Sequence, residues 1–232
     1  MLIDLNADLG EGAGSDAELL RYITSANVSC GFHAGDPDTA RTTLELAVAA
    51  GVRIGAHPGY ADREHFGRRE QTLTDRQVAT LAFHQVGALT ALTRLCRADL
   101  MYVKPHGALY NQASRDRGYA RPLVAVAFLN NLSMVGLPDS MLKECCEQVA
   151  VSFIAEGFVD RRYHDDGTLI ARSEPNAVIH DVPEAVAQAE MLVRTHSIRT
   201  LCVHGDTPGA VEFAAKVKEL LNARGFILKA FA

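Results

Sequence analysis

No run of some 18 apolar residues occurs in this chain of 232 residues, so a membrane-spanning helix is not expected. The opening MLIDLNADLGEG carries carboxylates where a signal peptide needs an apolar core. Lysine-rich runs are also missing. The 23 basic residues are scattered and outnumbered by 28 acidic ones, for a net charge of −5, which argues against nucleic acid as a partner. The five cysteines (Cys30, Cys96, Cys145, Cys146 and Cys202) show no C-x-x-C spacing, so neither a disulfide framework nor a thiolate zinc site is indicated. A reducing cytoplasm is the expected compartment, with Cys30 and Cys202 serving as small buried hydrophobes inside strands. No G-x-G-x-x-G or G-x-x-x-x-G-K-[ST] turn follows any apolar run, so the chain has no recognisable phosphate loop of its own.

What is present is a rhythm. Apolar runs of strand length at about 2–9, 27–32, 52–57, 100–105, 133–137, 151–156 and 200–204 alternate with helical patterns at about 15–24, 37–50, 74–97, 114–129, 139–148, 182–195 and 208–223. A last apolar run covers 226–229. Alternation of this kind means parallel strands with crossover helices, in an open doubly wound sheet or a closed barrel. The first strand decides between them, because it sets Asp4, Asn6 and Asp8 on one face against Ile3, Leu5, Ala7 and Leu9 on the other. An open sheet covered by helices on both sides would be apolar on each face. The expectation is therefore an α/β fold, a distorted (β/α) barrel of about seven strands forming one domain over 1–232. One segment breaks the rhythm: in FVDRRYHDDGTLIARSEPN the Asp166-Gly167 pair reads as a hairpin turn, giving a lid or pocket wall around 158–174.

The C-terminal ends of parallel barrel strands share one rim, where active sites form. That placement gathers Asp8 and Glu11, His33 and Asp36, His57, Lys104 and His106, Glu156 with Asp160 and Arg161, and His204 with Asp206. Glycines on both sides of Glu11 let the backbone approach a ligand. Lys104 and His106, two apart at a strand end, point the same way. A buried lysine needs a facing carboxylate or an anionic ligand, and Asp8 or Glu156 would serve as the internal partner. His204-Gly205-Asp206 reads as an imidazole oriented by a carboxylate. His33 and His57 either line the pocket or order the turns that follow them. Arg63, Arg68 and Arg69 in ADREHFGRRE form either a solvated surface or an anion clamp.

The strings DLNADLGEG, SANVSCGFHAGDP, GAHPGYADREHFGRR, VKPHGALYN, EGFVDRRYHDDG and CVHGD, in unbroken order from Asp4 to Asp206, resemble the LamB/YcsF family. The resemblance implies a seven-stranded barrel of the glycoside hydrolase/deacetylase type. It also implies the reaction of an ATP-dependent 5-oxoprolinase, in which a family member opens the lactam of 5-oxoproline to glutamate together with 5-oxoprolinase subunits B and C. For that reaction Asp8, Lys104, His106 and Asp206 are the expected catalytic groups. Asn6, Glu11, His33, His57, Arg68, Glu156, Arg161 and His204 are the expected substrate contacts. Against the family pattern, the chain is short around 121–133 and between the helix ending near Thr195 and Leu201. Two other readings stand beside this one. Asp8, His33 and His57 could hold a divalent cation for a metal-dependent amide deacetylase, or the chain could bind 5-oxoproline without turning it over.

Overall fold

The computed structural model describes residues 1–172, 174–205 and 209–231, so the expected catalytic residue Asp206 lies outside the described residues. The strands are β1 (Leu2–Leu9), β2 (Ser25–Ser29), β3 (Arg53–His57), β4 (Tyr102–Val103), β5 (Ser133–Gly136), β6 (Phe153–Phe158), β7 (Thr200–Val203) and β8 (Ile227–Leu228). The helices are α1 (Asp16–Leu19), α2 (Pro37–Ala50), α3 (Asp75–Leu95), α4 (Gly107–Arg115), α5 (Arg117–Leu129), α6 (Met141–Val149), α7 (Val182–His196) and α8 (Ala210–Ala223). All strand pairings are parallel, and β1 pairs with both β7 and β2, which closes β1 to β7 into a barrel. β8 adds a short pairing to Leu2 and Ile3 at the start of β1. No helix among the described residues is long and apolar enough to cross a membrane.

Local chemistry fixes the helix ends. Asp36 accepts a hydrogen bond from the Thr39 amide, Pro37 occupies the first turn, and Gly51 in the left-handed region stops α2. Thr74 and Gln77 form a reciprocal capping box at α3. Its Val78, Ala82, Val86 and Leu89 are buried against the barrel.

Two expectations need correction. The first helix is four residues long instead of spanning 15–24. The helix expected at 114–129 is two helices, because Asp116 leaves the helical conformation and accepts from the Gly118 amide to start α5 anew. Before it lies α4, which begins at Gly107, straight after the Lys104-Pro105-His106 strand end.

The barrel interior is layered. At the strand beginnings Tyr102, Val135, Ile154 and Phe231 form a small apolar plug. Above it sit Asp4, Asn6, Ser25, Asn27, Glu156 and Thr200, all at most 1% exposed. Asp4 accepts from Thr24, Ser25 and Thr200, yet burial outweighs these bonds and raises its pKa. The polar face of β1 thus points inward, into a hydrogen-bonded network that leads up to the rim.

Candidate active site

Lys104 stands at the centre. Burial opposes a charge on it, but its Nζ lies 3.0 Å from Asp8 Oδ1 and 2.9 Å from Glu156 Oε1. Those carboxylates hold its pKa well above the ordinary lysine value. Nζ also lies 3.3 Å from Asn6 Oδ1 and 3.1 Å from Cys202 Sγ. Burial pushes the Cys202 thiol well up, so it stays protonated beside the ammonium. Asn6 donates to Glu156 at 3.0 Å, and Asn27 donates to Asn6 at 2.6 Å and to Asp8 at 2.8 Å. Tyr102 in turn donates to Asn27 Oδ1 at 2.7 Å. Sequence reasoning missed Asn27 and Tyr102. The signal was there in Ser25-Ala26-Asn27-Val28-Ser29, which repeats the polar alternation of β1.

Next to the lysine cage lies a cluster of three histidines and Glu11. His57 Nδ1 donates to the Lys104 carbonyl at 2.7 Å, and His106 Nε2 donates to the Phe66 carbonyl at 2.8 Å. Carbonyl oxygens only accept, so these bonds fix which ring nitrogens carry protons. The remaining nitrogens, His57 Nε2 and His106 Nδ1, face each other at 3.0 Å. Glu11 Oε1 lies 3.1 Å from His33 Nε2, 3.4 Å from His106 Nδ1 and 3.9 Å from His57 Nε2. His33 stacks flat on His106 with ring centres 3.8 Å apart, whereas His57 meets His106 edge-on at 90°. Burial, and then the neighbouring imidazoles, holds His33 and His106 well below the ordinary histidine pKa. For Asp8 burial works the other way, but His57 (Nε2 3.3 Å from Oδ2) and Lys104 overcome it, so its carboxyl stays well below the usual range.

Both groups open into a cavity of about 380 Å³, lined in part by Asp8, Glu11, His57, Lys104 and His106. Arg68, Arg161 and Arg172 line it with Tyr110, Phe158, Leu169, Ala171 and His204. Leu169, Ala171 and Arg172 come from the segment after Asp166-Gly167, where Tyr163 bridges Leu169 and Arg161 bridges Val178 in antiparallel fashion. Arg161 donates to the Ile170 carbonyl, while its buried Nε has no partner. Burial and then the facing Arg172 bring its pKa down to about 10. Three arginines lining one cavity favour an anionic ligand group.

The structure brings Asp8, Glu11, His57, Arg68, Lys104, His106, Arg161 and His204 to the cavity. Asn6, His33 and Glu156 stand behind it, touching Lys104 or Glu11. The carboxylate on His204 is Asp160, 2.8 Å from Nδ1. Arg63 is no clamp: it donates to the Gly31 and Gly35 carbonyls and ties a loop. Arg69 reaches His65. Among the described residues, the groups of close donor atoms differ from the possible set of Asp8, His33 and His57. The donor atoms that lie within 4.8 Å of one another belong to Glu11, His33, His57 and His106. Asp8 groups instead with Cys202 and His204, and the Lys104 ammonium already sits against the first two.

The model of the LamB/YcsF family matches residues 3–232. The 5-oxoprolinase A subunit of Methylococcus capsulatus is 44% identical over 242 residues, covering 96% of this chain and 93% of that protein. The protein of the same name from Pyrococcus abyssi is 40% identical over 244 residues, covering 97% and 96%. A crystal structure of a lactam utilization protein from Thermus thermophilus superposes with a TM-score of 0.91 at 37% identity over 100% of both chains. The catalytic domain of a peptidoglycan N-acetylglucosamine deacetylase from Eubacterium rectale shares the barrel, with a TM-score of 0.57 at 12% identity over 100% of this chain and 88% of its own.

Proposed function

This chain belongs to the LamB/YcsF family, and from that we propose that it is the lactam-binding subunit of an ATP-dependent 5-oxoprolinase. The observation that carries the reading is a cavity lined by a buried cation held between two carboxylates and by three arginines. It sits in a chain more than two-fifths identical to a curated 5-oxoprolinase A subunit. A five-membered lactam is a stable amide whose hydrolysis is opposed by intramolecular recyclisation. Coupling to ATP overcomes this: the terminal phosphoryl group passes to the carbonyl oxygen, water adds at that carbon, and the C–N bond breaks as nitrogen gains a proton. A second water then releases phosphate and leaves glutamate.

In this chain Asp8, ionised and beside His57, is the base toward water. Lys104 and His106, which line the same cavity, are assigned to the reacting carbonyl and nitrogen, where a fixed ammonium stabilises developing negative charge. Arg68 and Arg161 hold the substrate carboxylate. Nucleotide chemistry falls to two further subunits, B and C, since no phosphate loop follows any strand here.

Reconstitution with those subunits tests the reading. Glutamate is expected to form from 5-oxoproline only when ATP and all three subunits are present, and Lys104→Met is expected to abolish it. Arg68→Gln should raise KM by about tenfold or more, the loss of one charge-assisted contact of about 1.4 kcal/mol or more. Equal turnover without ATP, or release of acetate from an acetylated substrate, would overturn the assignment.

A further inference from the structure

We infer that Glu11, His57 and His106 form a binding site for one divalent first-row metal ion, with His33 as the residue that orients Glu11. This rests on geometry alone and not on the reaction proposed above.

His57 and His106 each spend one ring N–H on a backbone carbonyl. That arrangement aims the opposite lone pair of a metal-binding imidazole. Here both lone pairs are aimed at the same point, 3.0 Å apart, and the two rings are perpendicular, so they converge without sharing a plane. Glu11 Oε1 lies 3.4 and 3.9 Å from the two nitrogens. His57 Nε2 also lies 3.3 Å from Asp8 Oδ2, so two imidazole nitrogens and two carboxylate oxygens crowd one buried point. A proton on His57 Nε2 can be aimed at only one of these neighbours, and the remaining contacts are left without a hydrogen between them. An ion with ligands at about 2.0–2.1 Å in tetrahedral array holds them about 3.3 Å apart, close to the spacings found.

His33 is excluded as a ligand by its ring. It lies 3° from parallel to His106 at a 3.8 Å stacking distance, so an ion in the plane of one ring is far out of the plane of the other. Its Nε2, 3.1 Å from Glu11 Oε1, donates to that carboxylate. The donor set, two imidazoles and one carboxylate, suits zinc or cobalt. Glu11, His57 and His106 all line the cavity, where such an ion would supply Lewis acidity.

The test uses the whole chain, stripped with chelator and titrated with Zn²⁺ alone or Co²⁺ alone. Calorimetry should give one site per chain, and Co²⁺ should show the visible absorption of a tetrahedral nitrogen and oxygen environment. Glu11→Gln and His106→Ala should each weaken binding by at least about 100-fold, and His33→Asn by about 10–100-fold. Anomalous diffraction from a zinc-soaked crystal of the unaltered chain should place the ion between the three ligand atoms, which keeps the test valid if a variant fails to fold. No saturable binding, affinity unchanged in Glu11→Gln, a cobalt–thiolate band from Cys202, or an anomalous peak elsewhere would each overturn the site. None of these readouts depends on 5-oxoproline turnover.

Discussion

Lys104 is 2% exposed and Glu156 is fully buried, so the charges they carry have each other in place of water. Replacing Lys104 by methionine keeps much of the side chain but leaves Asp8 and Glu156 together with no cation between them. Removing one partner of a buried pair costs about 3–5 kcal/mol, and that loss is expected in urea unfolding of Lys104→Met. Adding Glu156→Gln should recover part of it, giving a coupling in the double-mutant cycle of about 1 kcal/mol or more. A Lys104→Met midpoint equal to that of the unaltered chain would show that the cage does not hold the ammonium. Activity of this variant has to be read well below its unfolding temperature. The strand-end residues Asp8, Lys104 and His57 were legible because alternation fixes which face a side chain takes. The partner of His204 was not. Asp160, 44 residues away, pairs with it, and no local pattern reports a contact between the ends of β6 and β7.

Two of the loops at the rim meet backbone to backbone. Gly35 has φ +65°, and a Cβ there would stand 2.1 Å from the Gly10 carbonyl oxygen. The loop after β2 therefore packs directly against the loop after β1, beside Glu11 and His33. Gly12 has φ +86° with nothing within 4 Å of its added Cβ, which isolates the conformational cost. Gly12→Ala is expected to lose about 1–2 kcal/mol, and Gly35→Ala roughly twice that or more because a backbone atom has to move. Paired urea titrations of the two variants measure the difference, and equal losses would mean the loops are not in fixed contact. Helix ends with side-chain caps were legible, as at Asp36-Pro37 and Thr74-x-x-Gln77. The start of α4 was hidden for the converse reason. Its N-cap is His106, which makes no side-chain cap bond and is engaged with His57 and Phe66 instead.

At the scale of the whole molecule, the strand and helix rhythm and the inward polar face of β1 were enough to indicate a closed barrel. They did not indicate what seals its lower end. The interior runs from an apolar plug at the strand beginnings, through a hydrogen-bonded layer around Asp4 and Asn6, to the charged rim, and the plug depends on a residue far from β1 in sequence. Phe231, 7% exposed, packs edge-on to Tyr102 with ring centres 5.1 Å apart and lies under the Arg53 guanidinium. Tyr102 carries the connection upward through its bond to Asn27, which donates to Asp8. Phe231→Ala would leave a cavity beneath Tyr102 and open the polar layer to water. A buried Phe→Ala change costs about 3–5 kcal/mol, and a loss in that range is expected in urea unfolding. Ile227→Ala is the control: that side chain is 61% exposed although its backbone pairs with β1, and the change should stay within about 0.5 kcal/mol. Should Phe231→Ala cost no more than Ile227→Ala, the base of the barrel is sealed by the strands themselves, and the Tyr102–Asn27–Asp8 chain needs no support from below.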